Sequence, residues 1–187
     1  IHRKAAGVDV RIADLDLVNP YFRTREVRKT LRGRDIPVIL PPEAYLHADL
    51  PILTPEEAGM LRNPGPLSIV DVGGDDVGAT VLAALADHLD GRRAEILQVV
   101  NPFRPFTDTV EGCLRIRAEI EAASRMAVTG LVGNANLIDD TTVKDIHEGY
   151  DFFRSLAEKS GLPLRFITAP GHLIPRLETD RIDCPVL

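Results

Sequence analysis

The sequence predicts a three-layer α/β fold, in which helices cover both faces of a mostly parallel sheet. Strand-like and helix-like segments alternate along all 187 residues, and this alternation is typical of βαβ units around a parallel sheet. The segments 67–70 and 96–100 are almost continuously apolar, as expected for strands buried on both faces. The length suits one domain with a sizeable core, so we expect residues 1–187 to form a single domain.

Six segments are predicted to be strands. The first has Val8, Val10 and Ile12 alternating with polar residues, which is the period-2 pattern of a strand. The other five are short apolar runs that end in Pro, Gly, Asp or Asn. In chain order the predicted strands lie within 8–14, 36–41, 67–74, 94–102, 126–134 and 162–170.

Helices are predicted between these strands. The clearest is 141–161, where apolar residues recur at helical spacing from Val143 to Ala157 and Gly161 marks the end. The segment 107–125 opens with Asp108, and Glu111 follows three residues later, which resembles a capping box. The remaining helices are expected at 1–7, where Gly7 ends a basic segment, and at 25–33, 54–62, 76–91 and from His172.

Composition excludes several classes of protein. The net charge is −6 and the basic residues are scattered, so direct nucleic-acid binding through bulk charge is not expected. No apolar run approaches the ~20 residues of a membrane span. The two cysteines, Cys113 and Cys184, are far apart in the chain, which favours a reducing, cytoplasmic location over a disulfide framework.

Polar residues follow the predicted strands, and parallel sheets bind ligands at the carboxyl ends of their strands. Early strands end in carboxylates, at Asp14, Asp16 and Asp71, whereas later strands end in amides, such as Asn134. This asymmetry suits a nucleotide whose metal and phosphates lie at one end and whose base lies at the other.

Asp71 directly follows a buried strand, where its charge is poorly solvated and a cation would stabilise it. Mg²⁺ needs only one or two carboxylates when phosphates supply further oxygens. Gly73 and Gly74 then allow a ligand to approach the backbone. The alternative is a solvated strand-end Asp before a glycine turn. The spacing of these glycines does not match a dinucleotide-binding fingerprint.

Asp14 and Asp16 flank one residue, so an extended backbone can place both on one side. One could hold a metal-bound water while the other acts as a general base toward an attacking water. The alternatives are a charged strand end and metal-dependent sugar transfer. Arg23 and Arg25 follow in the next loop and could meet phosphate or a partner's carboxylates, or could simply be solvated.

The segments "DLDLVNPYFRTRE" and "IVDVGGDDVGA", followed by a late strand ending in Asn134, resemble the ParA/MinD/CobQ-type branch of P-loop NTPases, which is related to the nitrogenase iron protein. The similarity is greatest to an uncharacterised MinD/CobQ-like ATP-binding subgroup and spans about Val8 to Pro170. It implies a Mg²⁺-dependent ATPase that acts as a cytoplasmic switch, forms a homodimer and couples its nucleotide state to an unidentified protein partner.

The resemblance also implies roles for individual residues. Asp16, with Asp14 beside it, would position water and Mg²⁺, and Asp71 would hold Mg²⁺ through water. Gly74, next to Gly73, would offer its N–H to the γ-phosphate. Asn134 would recognise adenine, and Pro170 would lie against the base. Asn19, Arg23 and Arg25 would lie in the switch I segment, which contacts the nucleotide or a partner.

One departure from the family pattern is large. No Gly-rich loop with its Lys and Ser/Thr, the Walker A segment, occurs in these residues. Ile1 begins within the helix that should follow this loop, so the expectation is a truncated nucleotide-binding domain. This fragment should bind ATP poorly and be inactive, whereas the complete protein should hydrolyse ATP. The alternatives are a catalytically dead scaffold on the same fold and, further off, an amidotransferase-like ligase.

Overall fold

The computed structural model describes residues 1–16, 24–40, 55–74, 76–86 and 94–187. The helices are α1 His2–Ala5, α2 Arg28–Arg32, α3 Pro55–Arg62, α4 Asp76–Ala86, α5 Val110–Ser124 and α6 Val143–Ser160. The strands are β1 Val10–Asp14, β2 Val38–Ile39, β3 Leu67–Asp71, β4 Leu97–Val100, β5 Gly130–Gly133 and β6 Leu164–Ile167. Each predicted strand is therefore present, and the strands belong to two compact units, 1–94 with 120–126 and 95–119 with 127–187.

The first unit contains a parallel sheet of three strands in the order β2-β1-β3. Its register aligns Ile12 with Val38 on one side and with Ile69 on the other. Because side chains alternate along a strand, β1 contributes to two cores. Ala13 and Leu15 pack with Met60 and Leu61 of α3 and with α4 residues, whereas Val10 and Ile12 pack with Leu31 of α2. Helices thus cover both faces of this sheet, as predicted.

The second unit contains a parallel sheet in the order β4-β5-β6. Next to β6, Val186 forms a parallel bridge with Ile167. Two backbone hydrogen bonds flank this bridge: the Ile167 N–H donates to Pro185 O at 3.0 Å and the Leu187 N–H donates to Ile167 O at 2.9 Å. Residues 185–187 thereby lie along the edge of β6.

Helix α6 packs directly on β5 because two glycines leave room for it. A Cβ atom at Gly133 would overlap the Phe153 ring, and one at Gly149 would overlap Ala135. The predicted apolar face is confirmed, since Ile146, Tyr150 and Phe153 are buried in this core. Thr142 and Asp145 form a capping box, and Gly161 ends the helix with φ +69°. The predicted end of α6 at Gly161 is therefore confirmed, whereas the capping box at its start was not predicted.

Two expectations about local structure are wrong. Segments β3 and β4 were expected to be buried on both faces, yet Ile69 is 44% exposed and Val99 is 62% exposed. Both strands lie at the edge of their three-stranded sheet within the described residues. The capping box expected at Asp108 and Glu111 is also absent.

The residue that caps α5 is Thr109, whose Oγ1 accepts a hydrogen bond from the Gly112 N–H at 3.1 Å. Glu111 instead accepts from Lys159 Nζ at 3.1 Å. Gly112 cannot complete a capping box, because it has no side chain to reach back. The helix therefore begins two residues later than Asp108, at Val110.

Two of the shorter predicted helices are 3-10 turns in the structure, one of them in part. The segment from Arg25 begins as a 3-10 turn, Thr24–Val27, before α2, and the segment after His172 is a 3-10 turn, Ile174–Arg176. Near the N-terminus, Gly7 has φ +82° after α1, as its position predicts. In the part of the chain that the structure describes, no helix combines the length and apolarity needed to cross a membrane.

Candidate functional site

In the first unit, three carboxylates gather at the carboxyl ends of β1 and β3. Asp14 and Asp71 are direct Cα partners across the parallel pair, so their side chains leave the sheet on the same face. Asp14 is fully buried and Asp16 is 7% exposed. The Asp16 N–H donates to Asp14 Oδ1 at 3.2 Å. The structure therefore brings together the three acidic residues that the sequence analysis selected.

The environment of Asp71 disfavours the charged form of its carboxyl group. Burial raises the pKa of its carboxyl, and the negative charges of Asp14 and Asp16 raise it further, while hydrogen bonds from Thr24 act in the opposite direction. A carboxylate with this environment is stabilised when a cation comes close. Asp71 is therefore as poorly solvated in the folded protein as its place after β3 predicts.

Thr24 is a site residue that the sequence analysis missed. Its hydroxyl donates to Asp71 Oδ2 at 2.5 Å, and its backbone N–H donates to the same oxygen at 3.2 Å. Thr24 opens the 3-10 turn that leads into α2. No hydrophobic periodicity in the sequence marks Thr24. Its position, as a hydroxyl residue between the Asp-x-Asp at the end of a strand and a basic helix, could have indicated it.

Arg28, one turn beyond Thr24, was not selected from the sequence either. It is the first residue of α2, and its Nε is buried without a hydrogen-bond partner among the described residues. A buried donor of this kind carries a free-energy cost that an acceptor would remove. Arg25 lies within the neighbouring 3-10 turn, but its side chain, like all of Asn19 and Arg23, lies outside the described residues.

The two glycines after β3 have different surroundings. Gly73 is buried, and its carbonyl oxygen lies so close to α4 that a Cβ atom at Gly78 would overlap it. Gly74 is exposed, and among the described residues nothing lies within 4 Å of the position that its Cβ would occupy. These residues therefore leave space beside the backbone of Gly74, while Gly73 is fixed by its contact with α4.

The oxygen atoms of this cluster suit Mg²⁺ in type. Carboxylate and hydroxyl oxygens are hard ligands, and Mg²⁺ in nucleotide sites takes only one or two carboxylates from the protein. Within the described residues, no group of three or more His, Cys, Asp or Glu is arranged to hold a metal ion by itself. A cation at this cluster would therefore need phosphate and water to complete its coordination.

In the second unit, the predicted base-contacting residues lie at the carboxyl ends of β5 and β6. Asn134 donates its backbone N–H to Val100 O at 2.8 Å, and its Oδ1 accepts from Thr168 Oγ1 at 2.7 Å. Pro170 lies two residues beyond Thr168, and its carbonyl accepts from the Leu173 N–H at 2.8 Å. Thr168 was not selected from the sequence. Because its hydroxyl donates to Oδ1 of Asn134, the NH₂ of the Asn134 amide is the group available to donate.

Comparison with known proteins identifies the fold. Two crystal structures of FtsY from Mycoplasma mycoides, one of them in space group H32, are similar to this chain at 13% and 16% identity. Their TM-scores are 0.58 and 0.56, and each match covers 90% of this chain and 53% of FtsY. The chain thus spans about half the length of these structures. No protein-family model and no curated protein matches the chain.

These likenesses confirm the predicted fold class, which is three-layer α/β with parallel strands and helices. At such low identity they show the fold alone. They do not support the ParA/MinD/CobQ subgroup in particular. The roles of the individual site residues, and the grouping of residues 1–187 into one nucleotide-binding domain, stay predictions.

Proposed function

We propose that the protein is a Mg²⁺-dependent nucleoside-triphosphate switch of the ParA/MinD/CobQ type, which hydrolyses ATP slowly and couples its nucleotide state to a partner protein. The observation that supports this most is the register of β1 and β3, which places Asp14 directly beside Asp71 with Asp16 two residues on. Carboxylates at the ends of neighbouring parallel strands are where phosphate and metal chemistry is found on this class of fold.

Each residue of the first unit has a distinct proposed task. Asp71 holds Mg²⁺, directly or through water, and Asp16 orients the attacking water. The bound Mg²⁺ supplies charge neutralisation for the transferring phosphoryl group. Gly74 offers its open backbone N–H to a phosphate oxygen. Thr24 is a donor to Asp71, and we assign to Arg28, one turn further along the chain, the neutralisation of phosphate charge.

In the second unit, we assign base contacts to Asn134 and Pro170. With Oδ1 of Asn134 occupied by Thr168, the amide NH₂ donates to an acceptor on the base, such as N7 of a purine. Both adenine and guanine carry that acceptor. The choice of ATP rests on the sequence resemblance, whereas the similar solved structures have a P-loop GTPase fold.

Thermal unfolding with Mg-ATP and Mg-GTP tests the proposal directly. The full product of the coding region should be used, because the phosphate-binding loop of this class is absent from these residues. A nucleotide at about 100 times its dissociation constant stabilises a protein by ~2.7 kcal/mol, which is easily measured. The Asp16→Asn variant should keep this stabilisation and lose most of the turnover, because Asp16 is assigned to the water and not to nucleotide affinity.

Two outcomes would contradict the proposal. Absence of stabilisation by either nucleotide would favour a scaffold that uses the fold without the chemistry. An equal loss of binding and turnover in Asp16→Asn would remove the role assigned to that residue. Asp151→Asn, an exposed carboxylate on α6, provides the matched control and should change neither quantity.

A further inference from the structure

A groove lies in the second unit between helix α6 and the extended segment 182–187 beside β6. Its volume is about 690 Å³, which is within the usual range for sites that hold a ligand. The helix side of the groove includes Tyr150, Arg154 and Glu158, and the opposite side includes Asp183 and Cys184. We call this feature the α6 groove.

The side of the α6 groove opposite the helix is fixed in place by hydrogen bonding and packing. The Asp183 N–H donates to the hydroxyl of Tyr150 at 2.8 Å, and Tyr150 is only 3% exposed. The side chains of Ile182, Cys184 and Val186 alternate with exposed residues and pack against the core of this unit. The groove is therefore formed before a ligand binds, which reduces the entropy cost of binding.

The backbone of Val186 offers a free strand edge next to the α6 groove. Leu187 directs both of its backbone groups to β6, because its N–H donates to Ile167 O at 2.9 Å and its carbonyl accepts from the Ala169 N–H at 3.0 Å. Successive residues of an extended segment direct these groups to opposite sides, so those of Val186 point away from β6. Among the described residues they have no hydrogen-bond partner. Such an edge can pair with a further strand.

Carboxylates outnumber guanidinium groups along the α6 groove. Glu158 and Asp183 are exposed there together with Arg154, and in the part of the chain that the structure describes these three side chains form no ion pair. Burial raises the pKa of the Cys184 thiol, and the charge of Asp183 raises it further, so the thiol adds no negative charge of its own. A basic side chain that entered the groove would therefore meet unpaired carboxylates.

We propose that the α6 groove binds an extended, basic peptide segment of another protein by strand addition. In this mode, main-chain hydrogen bonds to a free strand edge provide affinity, and the surface beside the edge selects alternate side chains of the peptide. The N–H and C=O of Val186 form the main-chain bonds, and Glu158 and Asp183 select Lys or Arg. This contact goes beyond the proposed function and needs no nucleotide, so the two can fail separately.

Fluorescence anisotropy with two labelled peptides tests the choice of a basic ligand. Each peptide has about nine residues, the length of a long strand, with Thr alternating with Lys in one and with Glu in the other. The full product of the coding region should bind the Lys peptide and not the Glu peptide. Glu158→Gln/Asp183→Asn should weaken this binding by about fivefold or more, as for the loss of two exposed charge pairs. Glu119→Gln/Asp139→Asn removes two exposed carboxylates elsewhere in this unit and should leave binding unchanged.

Amide hydrogen exchange, measured by NMR, distinguishes strand addition from simple attraction between charges. The Lys peptide should slow the exchange of the Val186 N–H. It should not change that of the Leu187 N–H, which is already bonded to Ile167 O. Two further versions of the Lys peptide carry N-methyl groups at alternate residues, in opposite phase. Because a strand directs alternate N–H groups to each of its edges, only one of the two versions should still bind.

Several results would overturn the proposal. Equal binding of the Lys and Glu peptides, or of neither, would remove the argument from charge. Binding of both N-methylated versions, or unchanged exchange of the Val186 N–H, would remove strand addition. Protection of the Val186 N–H by a higher protein concentration without peptide would also contradict it, because the edge would then pair with a second copy of the chain.

Discussion

The hydroxyl of Thr24 and the carboxylate of Asp71, 47 residues apart in the chain, are joined at 2.5 Å. This hydrogen bond connects the 3-10 turn before α2 to the end of β3. Because the Thr24 N–H bonds the same oxygen, Oδ2 of Asp71 already has two donors. A cation that approaches this oxygen must therefore share it with Thr24 or displace it.

Replacing Thr24 with Val should lower the free energy of unfolding by about 1.5–3 kcal/mol, the usual worth of a hydrogen bond to a charged group. Thr24→Ser keeps the hydroxyl and should remain close to wild type. Urea denaturation of the three proteins provides the comparison. Equal stability of Thr24→Val and Thr24→Ser would show that the hydroxyl bond contributes nothing.

Replacing Asp71 with Asn should stabilise the metal-free protein, because the variant removes a half-buried charge next to Asp14 and Asp16 and can still accept from Thr24. The melting temperature should rise by about 2–4 °C for each kcal/mol gained in a chain of this size. The same variant should lose stabilisation by Mg-nucleotide. A lower melting temperature without metal would mean that Asp71 is already paired with a cationic group.

Stability should fall as the pH rises through the titration of Asp71. Its pKa is raised above the ordinary value of 3.8, so the folded protein keeps a proton that the unfolded chain has released. The unfolding free energy therefore decreases with pH from about the unfolded pKa up to the folded pKa, and is level above it. The difference between Asp71→Asn and wild type should grow over that interval. A constant difference across the acid range would contradict the raised pKa.

Gly78→Ala should destabilise the protein, although Ala normally favours a helix over Gly by about 1 kcal/mol. A Cβ atom at Gly78 would overlap the Gly73 carbonyl, so either α4 or the loop carrying Gly74 must shift. Overpacking of this kind costs roughly 1–3 kcal/mol. Gly59→Ala in α3 is the matched control, because no atom of the described residues lies within 4 Å of its Cβ position, and it should stabilise the protein.

Thr168→Val should weaken purine-nucleotide binding by about fivefold, the equivalent of one neutral hydrogen bond of ~1 kcal/mol. Without the Thr168 hydroxyl, the Asn134 amide is no longer held in one orientation. Thr168→Ser should restore affinity. Titration with fluorescent ATP and GTP analogues measures the change. Unchanged affinity in Thr168→Val would show that Asn134 does not take part in base recognition.

The strands and the longest helix could be predicted because their signals are local. Helix α6 has the apolar stripe and the C-terminal glycine that the sequence predicted, and the structure adds a capping box of Thr142 and Asp145 that was not predicted. The cap of α5 was misassigned because Thr109 and Asp108 are both good N-cap residues and only the structure distinguishes them. Sequence patterns also placed Asp14, Asp16 and Asp71 together, since parallel strand ends share one edge.

The contacts that sequence reasoning missed are those between distant segments. The bonds of Thr24 to Asp71 and of Thr168 to Asn134 join residues 47 and 34 positions apart, and no periodicity connects such pairs. Burial of β3 and β4 was overestimated for a related reason. An apolar run indicates that the side chains of a strand can be buried. Whether that strand lies at the edge of its sheet depends on which other strands pair with it.

The pairing of Val186 with Ile167 has a practical consequence for handling the protein. Backbone groups of Pro185 and Leu187 hydrogen-bond to β6, so a segment inserted directly after Leu187 would begin next to a hydrogen-bonded ladder. A flexible Gly/Ser spacer before the inserted segment keeps the ladder free of it. For surface immobilisation or fluorophore coupling, exposed side chains of α6 such as Lys144 offer attachment points that leave this edge intact.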